Sequence, residues 1–313
     1  MNEDLELKID GSYVFAPIVV FVYNRPRHTK NLLLSLSSCR YANNSDLYIF
    51  SDAPKSDKSK EDVVLVRNII ADKKWKDKFK SVVVFESSVN KGLAKSIIDG
   101  VSLVIKKYGR VVVIEDDNIV SYDFLDFMNR ALDYYYNIDK IGYIGGYTVP
   151  IHIPEDYHYD VFTMGRGSSY AWATWNKYWE CIDWEVSDYK LFRKNKVLCK
   201  KFNEYGPDRV RLLDSQMRGK IDSWAIRFSY SMFKMGKLAI LPTKTRVQNI
   251  GFDGTGVHNS SLETKWLTSL ENDLKPAVFV DVDIDKRIKK EFNNIFRKPS
   301  LLKRILRRIK KHH

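Results

Sequence analysis

Arg110-Val-Val-Val-Ile-Glu-Asp-Asp117 is the stretch on which the fold turns. Four branched apolar residues, Val111 to Ile114, run straight into three consecutive carboxylates, Glu115, Asp116 and Asp117. So short an apolar run suits a strand buried on both faces, as in a parallel sheet. The acids then fall at the strand's carboxyl end, where open α/β sheets place their ligands. Adjacent carboxylates repel one another, and at the mouth of a sheet a cation offsets that repulsion. Hard oxygen ligands beside phosphates point to Mg²⁺ or Mn²⁺. A solvated acidic turn is the plain alternative.

Working outward, the first half of the chain alternates strands and helices. Ile18–Val22 reads as a buried strand, and Pro26 opens a helix through Leu32, Leu33 and Leu36. Leu47–Phe50 is a second strand ending at Ser51-Asp52, and residues 57–74 are helical in pattern. Val82–Phe85 is a third strand. Leu93, Ile97, Val101 and Val104 mark an amphipathic helix before Val111–Ile114. Phe124, Met128, Ala131, Leu132 and Tyr135 mark the helix after it. Repeated βα units predict an α/β fold with a mainly parallel central sheet and helices on both faces. No Gly-x-Gly-x-x-Gly follows the first strand and no Walker loop occurs, which disfavours a dinucleotide dehydrogenase or a P-loop ATPase.

The alternation breaks down from Gly142. Residues 145–150 read as turns. Trp172, Trp175 and Trp179 lie within eight residues, as core or as apolar faces for sugar rings. A helical stretch from about Leu212 is expected to carry Asp222-Ser223-Trp224. Leu238–Leu241 reads as a last strand, and a loop with three glycines runs from Val247 to His258. One catalytic domain over residues 1–260, with a C-terminal extension over 261–313, is the simplest organisation.

Composition narrows the class. The net charge of +13 suggests nucleic acid, yet residues 286–311 hold twelve Lys and Arg against one acid, Glu291. The basic character thus belongs to a tail. Leu301, Leu302, Ile305, Leu306 and Ile309 fall at helical spacing with cations between, the pattern of an amphipathic helix on an anionic membrane surface. No aromatic platform accompanies that charge, so no nucleic acid is expected. Cys39, Cys181 and Cys199 lack disulfide or metal spacing and read as free thiols. The acidic start, without a signal peptide's basic and apolar regions, fits a cytoplasmic protein, peripheral at the inner face of a bacterial membrane.

The residues together resemble a family. Val22-Tyr-Asn-Arg25 before Pro26, Ser51-Asp52, Glu115-Asp116-Asp117, Asp222-Ser-Trp224 and the glycine loop ending in His258 follow one another in an order similar to the GT-A glycosyltransferases. The likeness is nearest to bacterial family 2 and to the Golgi N-acetylglucosaminyltransferases of family 13. It covers Pro17 to about His258 and implies a Rossmann-like nucleotide-diphospho-sugar transferase fold and a metal-dependent, inverting enzyme. The donor implied is a nucleotide sugar, foremost a UDP-sugar, and the acceptor a glycan or lipid-linked molecule in surface polysaccharide synthesis. By that resemblance Asp117 is the direct ligand of Mn²⁺ or Mg²⁺, Asp116 contacts ribose, and Glu115 contacts the nucleotide or donor sugar. Asp52 takes a base N–H, Arg25 meets base or phosphate oxygens, and His258 is a second metal ligand or phosphate contact. Asp222 is the catalytic base, because inversion needs one carboxylate on the acceptor side; Asp253 is its rival, and a helix N-cap is its plain reading. A nucleotidyltransferase on sugar phosphates is an alternative, but residues 22–27 lack the glycines its phosphate loop needs. A non-catalytic glycan- or lipid-binding module on the same fold is another.

Overall fold

A computed structural model describes residues 14–252, 266–271, 275–281 and 283–297. His258, Asp253 and the basic segment from Leu301 onward lie outside the described residues. Ten strands are described: β1 (Ile18–Val22), β2 (Asp46–Ser51), β3 (Ser81–Glu86), β4 (Arg110–Glu115), β5 (Asn118–Val120), β6 (Ile141–Gly145), β7 (Val161–Met164), β8 (Ala171–Trp175), β9 (Leu238–Pro242) and β10 (Val247–Asn249). The first four helices are α1 (Pro26–Ser37), α2 (Lys60–Ile70), α3 (Leu93–Tyr108) and α4 (Phe124–Tyr134). Then come α5 (Asn176–Trp179), α6 (Tyr189–Lys194), α7 (Lys196–Phe202), α8 (Arg209–Met217), α9 (Trp224–Lys234) and α10 (Lys286–Phe296).

Eight strands form one sheet in the order β3-β2-β1-β4-β8-β6-β9-β7. β3, β2, β1 and β4 are mutually parallel, as are β6 and β9, while β8 and β7 run against their neighbours. The sheet is therefore mainly parallel, as the sequence predicts. All five residues of β1 are buried, which is why Ile-Val-Val-Phe-Val carries no alternation. Right-handed crossovers place α1 and α2 on one face and α3, which returns the chain from β3 to β4, on the other. Accordingly α1 packs on α2, and α3 on α5 and α9. Gly100 lets α3 approach the sheet: a Cβ there would stand 2.8 Å from the Phe21 ring. That ring opens a stack, Phe21–Phe50–Phe85, across β1, β2 and β3.

The second half differs from the sequence reading. β6, β7 and β8 are strands of the sheet in a region where the sequence reading named no strand, while residues 146–150 beyond β6 are irregular, in keeping with the turns expected there. Trp172, Trp175 and Trp179 are all buried core. Trp172 stacks between Trp179 and Trp224, so this cluster offers no open aromatic face to a sugar. The helix expected through Asp222 is two helices, α8 and α9. Gly219, at φ +65°, ends the first, and the Ser223 side chain caps the second by accepting the Ile226 N–H. Of the C-terminal extension, Ala277, Phe279, Ile288 and Phe292 are buried in the same core as the sheet. The three cysteines form no disulfide. Among the described residues no helix is long and apolar enough to cross a membrane.

Candidate functional site

Strand order reverses between β1 and β4, which makes their carboxyl ends a topological switch point. Phe21 lies opposite Glu115 in register, so the chain leaves both strands side by side. One exit carries Tyr23, Asn24 and Arg25; the other carries Asp116 and Asp117. The sequence reading put Arg25 and the acids on one edge of the sheet, and the structure brings them into contact. Arg25 Nη2 donates to Asp116 Oδ1 at 2.7 Å and lies 3.3 Å from Asp117 Oδ2. Asp116 Oδ2 accepts the Tyr23 N–H at 3.3 Å.

The three acids occupy different environments. Burial pushes the Glu115 carboxyl up to about 8, with the like charges of Asp117 and Asp116 adding to it. The Trp224 side chain hydrogen-bonds Glu115 and opposes that rise, as does Arg25. Burial pushes Asp116 up to about 6, against the pull of Arg25 and with a further push from Asp117. The Arg25 guanidinium is disfavoured by burial, but Asp116 and Asp117 outweigh that and hold it above its usual value. Asp117 is the more exposed of the two carboxylates on Arg25, at 14% of its side chain against 6% for Asp116.

A small antiparallel ribbon, β5 with β10, clamps the acid turn. Asn118 pairs with Asn249 across it. Asn118 Nδ2 donates to Asp117 Oδ1 at 2.9 Å and to the Glu115 carbonyl at 3.1 Å, and Asn249 Nδ2 donates to Asn118 Oδ1 at 3.2 Å. The Ile250 N–H reaches the Asp117 carbonyl at 2.7 Å. His28, on α1, holds the same segment through the Ile250 carbonyl at 3.2 Å. None of Asn118, Asn249 or His28 was singled out from sequence, because the ribbon joins residues over 120 positions apart. Gly251 closes the turn: a Cβ there would stand 2.8 Å from Asp117 Oδ2 and 3.1 Å from Arg25 Nη1. Gly251→Val is therefore expected to force this cluster apart and cost about 1–3 kcal/mol. A lower Tm in thermal unfolding checks it; an unchanged Tm would mean that the turn tolerates the bulk.

Asp52 closes β2 on the same edge, buried, with its carboxylate largely committed. Oδ1 accepts the Ala53 and Lys91 N–H groups and Oδ2 the Gly92 N–H, each at 2.9 Å. That anchors the loop entering α3 and leaves one lone pair, on Oδ2, of about four. Asp222 lies just ahead of α9. Its side chain is 65% exposed and pairs with Arg227 at 3.0 Å. The helix cap is its neighbour Ser223, so capping does not account for Asp222. Trp224 reaches Glu115, while Ile221, Ser223 and Ala225 line a cavity of ≈ 280 Å³ between the segment 166–170, the starts of α8 and α9, and α10. Asp222 thus lies between two residues that line the cavity, at its rim, with its own side chain exposed and in no described contact with Glu115, Asp116 or Asp117.

Among the described residues no group of three or more His, Cys, Asp or Glu forms a ready cation cage. Mg²⁺ is ordinarily held by one or two carboxylates together with substrate phosphates. Asp117 fits that pattern, provided that Arg25 yields Oδ2.

No protein-family model matches the chain, and no curated protein matches it. Among solved structures, it is similar to the mannosyltransferase PcManGT from Pyrobaculum calidifontis, in complex with GDP-Man and Mn²⁺. That similarity has 12% identity over 53% of this chain and 45% of that one, with a TM-score of 0.37. It is also similar to S. aureus TarS, with 11% identity over 74% of this chain and 36% of that one at a TM-score of 0.43. TarS 1–349 in complex with UDP-GlcNAc matches with 14% identity over 45% and 37%, at 0.31. The chain spans less than half the length of each of these three.

Proposed function

We propose that the chain is a metal-dependent, inverting glycosyltransferase that moves a sugar from a nucleotide sugar, foremost a UDP-sugar, to a glycan or lipid-linked acceptor. The observation that carries this reading is the contact of Arg25 with Asp116 and Asp117 at the β1/β4 switch point. A guanidinium beside carboxylates at a strand edge suits a diphosphate and its cation, because both charges find a partner there. Asp117 would hold Mn²⁺ or Mg²⁺ together with the diphosphate; the ion offsets the negative charge that develops on the departing nucleoside diphosphate. As the donor enters, Arg25 passes from Asp117 to a phosphate oxygen and keeps its bond to Asp116. Asp52 fixes the loop at Lys91 and Gly92 and offers its last lone pair to a base N–H. Asp222 takes the acceptor hydroxyl's proton as that oxygen attacks the anomeric carbon and the bond to diphosphate breaks. His258 belongs to the same reading as a phosphate contact.

A panel of UDP-, GDP- and dTDP-sugars incubated with Mn²⁺ tests the reading by release of nucleoside diphosphate. Release from one donor class is expected. Pyrophosphate release from a nucleoside triphosphate and a sugar phosphate would favour the nucleotidyltransferase instead, and no turnover of either kind a binding module.

The basic residues from Leu301 onward would hold the enzyme at an anionic membrane face, where a lipid-linked acceptor is anchored. Removal of residues 299–313 is expected to weaken cosedimentation with phosphatidylglycerol vesicles severalfold at low salt. Unchanged cosedimentation would count against this placement.

A further inference from the structure

The ≈ 280 Å³ cavity beside Trp224 holds charge that nothing in the site explains. Arg209 lines it and is 1% exposed. Its Nη1 donates to the Phe202 carbonyl at 3.0 Å, and its Nη2 to the Ser229 carbonyl and Oγ at 3.2 and 2.7 Å. The guanidinium also lies 4.0 Å over the Phe202 ring, and none of these partners carries a formal charge. Its Nε–H has no acceptor among the described residues, nor does a carboxylate there stand within ion-pair distance. A buried charge without a counter-charge is costly and marks a position that a ligand can complete. Burial, with Arg166 nearby, pulls the Arg209 guanidinium down to about 9.

Arg166, on the same cavity, sits 3.7 Å over the Phe296 ring and pairs with Asp208 at 2.6 Å. Two guanidinium groups thus face one carboxylate among the described lining residues. The first turns of α8, at Arg209 and Leu212, and of α9, at Ala225 and Ile226, also line the space. Helix N-termini add positive potential to the same side. Ser168, Ser169 and Ser229 supply hydroxyls, and Tyr147, Tyr170 and Trp266 supply ring faces. The volume lies near the small end of ligand pockets, roughly 300–1,000 Å³, so the space suits one sugar ring with a small substituent.

We propose that this cavity receives the acceptor through an anionic substituent, a carboxylate or phosphate on a monosaccharide-sized group, with Arg209 and Arg166 as its counter-charges. In calling the ligand the acceptor, this rests on the glycosyltransferase reading; the anion site itself does not. Asp222 at the rim then sees the hydroxyl of a sugar already held by its charged end. A neutral sugar would leave Arg209 uncompensated, so the site selects acidic acceptors over neutral ones.

The test is calorimetry on the full chain, with UDP and Mn²⁺ saturating so that phosphates cannot report on the Arg25 site. The probes are glucuronate, glucose 6-phosphate and methyl glucoside. At least one anionic probe is expected to bind ten-fold or more tightly than methyl glucoside, and which one does separates carboxylate from phosphate as the source. Arg209→Gln is expected to remove that preference. Because Arg209 is buried and its loss could prevent folding, Arg166→Gln, at a partly exposed position, is the second variant, with at least ten-fold weaker anion binding expected. Equal binding of all three probes, no binding of either anion, or an unchanged affinity in folded Arg166→Gln overturns the proposal. Nucleotide-sugar turnover without anion binding would sink this inference alone. Anion binding without any turnover would sink the glycosyltransferase reading and leave the anion site standing.

Discussion

Asp117→Ala is expected to abolish metal-dependent turnover, by on the order of 10²–10³-fold or more, while the protein stays folded. Both halves follow from where the side chain stands. Asp117 is the more exposed of the two carboxylates on Arg25, at the longer distance of 3.3 Å. Its loss leaves Arg25 with Asp116 at 2.7 Å, so no buried charge is stranded. The stability cost is then the loss of that longer pair and of the Asn118 Nδ2 hydrogen bond at 2.9 Å, about 1–3 kcal/mol, with Asn118 still donating to the Glu115 carbonyl. Asp116→Ala is the instructive contrast. It strips Arg25 of its shorter bond and the Tyr23 N–H of its acceptor. Breaking a buried pair from one side costs about 3–5 kcal/mol. Turnover assays across a Mn²⁺ series, with thermal unfolding of both variants, separate the two roles. A variant at Asp117 that keeps its Mn²⁺ response would remove that residue from the metal site.

Asp222→Asn is expected to lower transfer by about 10²–10⁴-fold and to leave donor affinity within about two-fold. The exchange keeps size and hydrogen bonding but removes the basic lone pair. Its structural cost is small, because the side chain is 65% exposed and pairs at the surface with Arg227. Arg227 also reaches the Ser223 carbonyl at 3.2 Å, so it keeps a partner in the variant. Steady-state kinetics give the readout: kcat falls, and the donor's dissociation constant measured separately does not. Full turnover in Asp222→Asn would pass the role to the rival Asp253.

Much of the β1–β4 half of the sheet was legible in the sequence. β1, β2 and β4 are apolar runs too short for helices and buried on both faces, or nearly so, while β3, at the sheet edge, is half-buried. Such runs signal themselves. Three acids directly after one of them, and Arg25 just after another, needed only the parallel topology to become neighbours. The second half hid for a physical reason. Ala-Trp-Ala-Thr-Trp and Val-Phe-Thr-Met are strands because of what they pair with, β4, β6 and β9, and no local pattern announces antiparallel insertions between parallel strands. The break between α8 and α9 did leave a trace, a Gly219 fit for a helix C-terminus and a Ser223 fit for the next cap. The commitment of Asp52 to three backbone N–H groups left none, since its partners Lys91 and Gly92 are about forty residues away. Arg209 was equally silent, because burial of a cation depends wholly on tertiary packing.

The central claim is that the β1/β4 edge binds a nucleotide diphosphate sugar through a metal at Asp117. Titration calorimetry of UDP- and GDP-sugars in Mn²⁺, repeated in EDTA and with Asp117→Ala, tests it most directly. The expected result is micromolar binding of one donor class with Mn²⁺, lost on chelation and lost in the variant. Binding that is equal in all three conditions, or absent for every nucleotide sugar, would contradict it.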